Sequence, residues 1–175
     1  MPDDLEHVEE EKPSLIKKIS VSVISLFLMF LIVSFTFTGA VGDIVASLIE
    51  SETIEDGLVE LEDFSVQFVG NSYDILLDVY NNNLEYETKV CLKGYVEENK
   101  YYVDEVYLPV IYSQTFNQVV SEACPTDTLI ALHSHPYRHC IASEQDLSNL
   151  ETAKLVNPDA IIGIMCEEER FSFYS

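Results

Sequence analysis

Between Ile19 and Gly42 the sequence reads ISVSVISLFLMFLIVSFTFTGAVG, 24 positions without a charged residue. At a rise of about 1.5 Å per residue, a helix of that length crosses a hydrocarbon core of about 30 Å, and the Ser and Thr residues in it do not forbid the bilayer. The run predicts one transmembrane helix over 19–42. A buried core helix and a cleaved signal peptide are the competing readings. The second fits poorly, because the apolar part of a signal peptide spans only about 7–15 residues. Lys12, Lys17 and Lys18 precede the run and no Lys or Arg follows it until Lys89. The positive-inside rule therefore puts the N-terminus in the cytoplasm and the rest of the chain outside. Six acidic residues among the first eleven make that bias less clean.

Four stretches follow from this reading: a short acidic tail with a lysine pair (1–18), the membrane helix (19–42), a helical extension and linker (43–61), and a single domain (62–175). The chain beyond Gly42 is long enough for one sizeable core and too short for two ordinary domains. Lys and Arg number 9 against 31 Asp and Glu, a formal charge of -22. Such a surface repels phosphate backbones, and no basic stripe relieves it, which excludes nucleic-acid binding. Because 47% of residues are apolar, the acidity does not signal disorder. Screening of self-repulsion by salt predicts a domain that gains stability as KCl is added, unless the protein is simply acidic. The four cysteines, Cys91, Cys124, Cys140 and Cys166, form no CxxC pair. That argues against a four-cysteine zinc site and leaves the redox compartment open.

Periodicity orders the domain. SVQFVG (65–70) alternates like a short strand, whereas Tyr73, Leu76, Leu77 and Tyr80 recur at helical spacing before an asparagine run suited to ending a helix. TKVCLKGYV (88–96) alternates like a strand, EENK is a hairpin turn into YYVDEVYLPVIY, and Pro109 marks an edge or a break. TLIALHSHP (128–136) is a strand ended by Pro136, SEQDLSNLETAKLV (143–156) a helix, AIIGIMC a buried central strand and RFSFYS a last alternating one. Strands with interspersed helices predict a mixed α/β domain.

On the strand that ends at Pro136, alternation sends His133 and His135 to one face and Ser134 to the other. Two imidazoles so placed share one metal ion, and Asp146, near the first turn of the next helix, supplies a carboxylate as third ligand. Three protein ligands with a position left for water is the arrangement of a catalytic zinc. Each piece also has a plainer reading. Ser143 and Asp146 have the S-x-x-D spacing of a capping box, and an isolated HxH is more often a hydrogen-bonded or surface pair. His133, His135, His139 and Cys140 are nominally a closed structural zinc set, though that leaves Asp146 idle. A Cys124 to Cys140 bridge is open if the domain lies outside. A hydrolytic site further needs a carboxylate for proton transfer, and spacing alone does not choose it among the many present.

HSHP followed by SEQD, with seven residues between His135 and Ser143, resembles the H-x-H-P…S-x-x-D signature of the JAMM (MPN-plus) zinc metalloproteases. That family carries an upstream Glu seven residues before a Gly. Glu87 stands at that interval from Gly94, with Glu85 a weaker competitor. The resemblance, which spans roughly residue 63 to the C-terminus, implies the MPN fold, a cytidine-deaminase-like mixed sheet flanked by helices. It further implies one Zn2+ ion on His133, His135 and Asp146, with Glu87 as general acid/base and Ser143 as oxyanion donor. The implied reaction is hydrolysis of a peptide or isopeptide amide in a protein or peptide substrate, including one joining a ubiquitin-like modifier to a lysine. Cys91 and Lys93 replace smaller or apolar residues common in the Glu strand, and the domain has little room for insertions that grip ubiquitin. A non-catalytic MPN-like binding or scaffold module anchored at the membrane is the alternative.

Overall fold

The computed structural model describes residues 15–38, 40–115, 118–136 and 139–175. The N-terminal tail up to residue 14, with Lys12, and the Tyr137–Arg138 pair of the loop after the HSHP strand lie outside the described residues. The chain divides into two units, Met1–Gly42 and Asp43–Ser175.

In the first unit, α1 (Leu15–Thr38) is a 24-residue helix. Its apolar side chains from Leu15 to Phe35 are exposed throughout. A 22-residue part of it is long and apolar enough to cross a membrane, and none of that part is buried within the protein. That exposure does not fit a core helix and is consistent with association with a membrane. The helix begins four residues earlier than the uncharged run, taking in Lys17 and Lys18. The end of the run belongs to a second helix, α2 (Ala40–Glu50).

The second unit is built on one mixed sheet. Its elements are β1 (Glu52–Thr53), β2 (Leu58–Glu60), β3 (Ser65–Phe68), α3 (Ser72–Asn81), β4 (Lys89–Glu97), β5 (Lys100–Tyr107), β6 (Ile111–Gln114), β7 (Val119–Ser121), β8 (Ile130–Ser134), α4 (Glu144–Lys154), β9 (Ile161–Glu167) and β10 (Arg170–Tyr174). Eight strands pair in the order β1-β10-β9-β8-β4-β5-β3-β2, and β6 and β7 form a separate ribbon. The β3/β5 and β8/β9 pairs are parallel and the others antiparallel. The edge strands β1 and β2 are consecutive in the chain and are joined by the Glu55↔Leu58 bridge, so the sheet curls close to a barrel instead of lying open.

The expected helical extension is present as the end of α2, but that closure corrects the linker expected after it. SETIEDG is not a connection but the seam of the sheet: Ile54 is buried in the core, and Asp56 and Gly57 both take positive φ (52° and 77°). Two such residues in succession are the tight hairpin turn for which Asp-Gly is a strong sequence signal. The β4–β5 hairpin uses the same geometry at Glu98 and Asn99 (φ 48° and 62°).

Alternation gives the sheet two apolar faces. Val90, Leu92, Ile130, Leu132, Ile161 and Met165 join Leu76 and Tyr80 of α3 in the main core. Burying each such aliphatic side chain stabilises the fold by about 1.5–3 kcal/mol. Ile162, Ile164 and Cys166 project from β9 to the other face, where Leu150 of α4 is also buried. α3 stops where the asparagines take over its carbonyls, Asn82 Nδ2 donating to Asp78 O and Asn83 Nδ2 to Val79 O. As expected, β9 is buried on both faces.

Two disulfides link Cys91 to Cys124 and Cys140 to Cys166. A Cys124–Cys140 bridge is therefore wrong: Cys124 follows β7 and lies beside β4, whereas Cys140 lies against the end of β9. Closing loops of 33 and 26 residues removes enough unfolded-state entropy to stabilise the domain by about 3–4 kcal/mol each.

Candidate metal centre

The centre forms where β4 and β8 begin and end side by side. Lys89 pairs with His133 across the two strands, which places the preceding Glu87 beside the residue after β8, His135. Backbone bonds secure this register past the ladder. Ser134 N donates to Thr88 O, Glu87 N to Thr115 O, and His135 N to Met165 O of β9. The Gln114 amide donates to Glu87 O, so the β6–β7 ribbon also holds the Glu87 backbone. Ser134 faces the opposite side and accepts from Thr88 N at 3.2 Å.

Glu87, His133 and His135 each offer one ligand atom, and the three atoms lie within 4.8 Å of one another. The His133 and His135 rings are 4.9 Å apart. Asp146 comes from the first turn of α4, its Oδ2 3.5 Å from His133 Nε2, while Glu87 Oε1 is 4.0 Å from the same nitrogen. Glu87, His133 and His135 thus form one cluster, Asp146 reaches it through His133, and Ser143 touches it only through Asp146. Ser143 is the N-cap of α4 in a complete capping box. Its N–H and its hydroxyl both donate to Asp146 Oδ2, at 2.8 and 2.6 Å. The plain capping reading of S-x-x-D is thus correct, and the cap itself aims the Asp146 carboxylate.

The electrostatics follow from burial. Glu87 is 9% exposed. Loss of water, then the nearby Asp146 charge, pushes its carboxyl up to about 7. His133 is pushed down to about 4, first by burial, with Asp146 opposing and His135 and Lys89 adding to the fall. Burial also lowers His135. Both imidazoles are consequently neutral near pH 7, the state in which a ring nitrogen has a lone pair for a metal.

A divalent ion fits these residues. His133 Nε2 is buried with no hydrogen-bond partner, a costly arrangement for a polar atom unless something else satisfies it. His135 Nδ1 is hydrogen-bonded to the carbonyl of His139, which makes Nδ1 the donor and leaves Nε2 free as a ligand. Two imidazoles with a carboxylate are a borderline-soft N/O set suited to zinc. The closed four-ligand alternative fails, because Cys140 is consumed in a disulfide and the His139 contribution to the centre is its carbonyl oxygen.

Sequence reasoning missed two participants. Lys89 shares the Glu87 face of β4 by simple alternation, and its charge acts on His133. The period of two from Glu87 reveals it. The His139 carbonyl is a backbone group without a residue signature. Among known proteins, no family model matches the chain and no curated protein matches it at a significant level. The likeness to JAMM enzymes therefore rests on motif spacing, and the cluster itself marks a candidate metal site in general.

Proposed function

We propose that the chain is a zinc-dependent amide hydrolase anchored at a membrane, with Glu87 as the proton-transfer group. The observation that carries the reading is the Glu87 carboxyl, held near 7 within 4.0 Å of a buried, unpartnered imidazole nitrogen. A general acid/base works best when its pKa lies near the working pH. Zinc, when bound, supplies Lewis acidity: it makes water a nucleophile near neutral pH and polarises a carbonyl.

The roles of the side chains follow. His133, His135 and Asp146 are the ligands, with Ser143 and the His139 carbonyl orienting the last two. Glu87 takes the proton of the attacking water and delivers it to the departing amine, so that one carboxyl serves both halves of the cleavage. The Ser143 hydroxyl, freed from Asp146, donates to the oxyanion that develops on the carbonyl. The JAMM likeness supports a peptide or isopeptide bond as substrate, a ubiquitin-like conjugate among them.

The mutual closeness of Glu87, His133 and His135 favours a second allocation, in which Glu87 is the third ligand and Asp146 the proton carrier. Zinc titration of Glu87→Gln and Asp146→Asn separates the two, since only loss of a ligand weakens the ion. The first allocation requires Glu87→Gln to keep its zinc and lose hydrolysis of an amide substrate that the wild type cleaves. Hydrolysis surviving in that variant would remove Glu87 from the chemistry.

The two disulfides bear on the side of the membrane. Structural disulfides persist in oxidising compartments. Together with Lys12, Lys17 and Lys18 ahead of the uncharged run, they support an extracytoplasmic domain.

A further inference from the structure

The peptide unit between His139 and Cys140 touches the centre on one side and α2 on the other. Its carbonyl is hydrogen-bonded to His135 Nδ1, and its N–H donates to the Ser47 hydroxyl oxygen of α2 at 3.0 Å. Because a peptide is planar with C=O and N–H in fixed opposition, holding the N–H holds the carbonyl. Ser47 is 1% exposed, so no water replaces it there. The next units are held by the last strand. The Tyr174 hydroxyl accepts from Ala142 N at 3.2 Å and lies 3.4 Å from Cys140 O and 3.2 Å from Glu50 Oε2 of α2. The Cys140–Cys166 disulfide pins the same point to β9. Residue 143, where this stretch ends, is the cap that aims Asp146.

Resting on the metal reading above, we propose that Ser47 and Tyr174 are positioning residues of the centre. On this assignment the last turns of the helix that follows the membrane segment are part of the metal site and not merely its tether. Ser47 fixes the carbonyl that selects the His135 tautomer, and Tyr174 fixes the approach to the Ser143 cap. Loss of either loosens one ligand without touching the ion. Partners of this kind change metal affinity by about 10–100-fold when removed.

The experiment uses the full chain in lipid nanodiscs and measures zinc affinity by competition with a fluorescent chelator, beside thermal melting. Ser47→Ala and Tyr174→Phe are both small changes compatible with the fold. Each is expected to weaken zinc by about tenfold or more and to alter the visible spectrum of the cobalt-loaded protein. Ser51→Ala is the control. It removes the bond that the Ser51 hydroxyl, just past α2, accepts from Arg170 and the one it donates to Ser47 O but nothing on residues 139–143, and it is expected to keep wild-type affinity. Zinc binding by Ser47→Ala and Tyr174→Phe within twofold of wild type overturns the assignment, as does an equal loss in Ser51→Ala. A wild type that binds no zinc overturns the metal reading itself, and this assignment with it.

Discussion

Asp146 Oδ2 stands 3.5 Å from His133 Nε2 while accepting both the N–H and the hydroxyl of Ser143. One carboxylate therefore caps a helix and faces an imidazole at once, and the helix start fixes how closely it approaches. The first prediction separates its role from that of Glu87. Asp146→Asn is expected to weaken zinc by at least about tenfold and to lower α4 stability, because an amide is a poorer ligand and a poorer cap acceptor. Glu87→Gln is expected to bind zinc within a few-fold of wild type. Zinc titrations of both variants decide the allocation, and a loss confined to Glu87→Gln would reverse it.

The second prediction concerns pH in the metal-free protein. Burial raises Glu87 from 4.5 to about 7, so between those values the folded state holds a proton that the unfolded state has released. Glu87 thus contributes stability that declines as pH rises through the window. His133, lowered from 6.5 to about 4, acts in the opposite sense, and stability from it grows as pH rises through its own window. In Glu87→Gln the contribution of His133, and that of the likewise lowered His135, remain. The variant should melt like wild type below about pH 4.5 and progressively above it up to about pH 7. Melting curves in chelator at matched pH test this, and a difference that shrinks with rising pH contradicts the burial argument.

How much of this was legible beforehand depends on the range over which the signal acts. His133 and His135 were readable because alternation on a strand is local, and Ser143 with Asp146 because a capping box is local. Glu87 needed the family interval, since its approach to His135 depends on the β4/β8 register. The disulfide pairing was unreadable for the same reason: Cys140 meets Cys166 only after β9 is laid parallel to β8. The SETIEDG seam is different. Its Asp-Gly turn signal was present, but β1 and β2 are too short to show a strand period, and acidity suggested a linker.

A third prediction rests on glycine. A Cβ on Gly94 would lie 1.8 Å from the Tyr102 carbonyl oxygen, with φ at +154°, at the bulge between β4 and β5. Gly70 also has a positive φ (+65°) but open space around it. Gly70→Ala should therefore cost only about 1–2 kcal/mol, the strain of a left-handed residue. Gly94→Ala should cost more than about 3 kcal/mol or prevent folding, because backbone must move. Chemical denaturation of the two variants checks the order, and equal costs would mean that the bulge relaxes freely.

The last prediction joins the cysteines to the membrane. All four are paired among the described residues, and the two bridges lie in the unit after α1. If that unit sits on the oxidising side, protein taken from cells into acid and alkylated at once should show no free thiol. In sealed right-side-out vesicles, protease should then digest residues 43–175 from outside. The lysines ahead of the uncharged run predict the same side by an independent route, since they act on insertion and not on folding. Quantitative alkylation of Cys140 and Cys166 without reductant, together with protection of the domain in intact vesicles, would place it in the cytoplasm. The lysine asymmetry would then have been outweighed by the acidic residues around it.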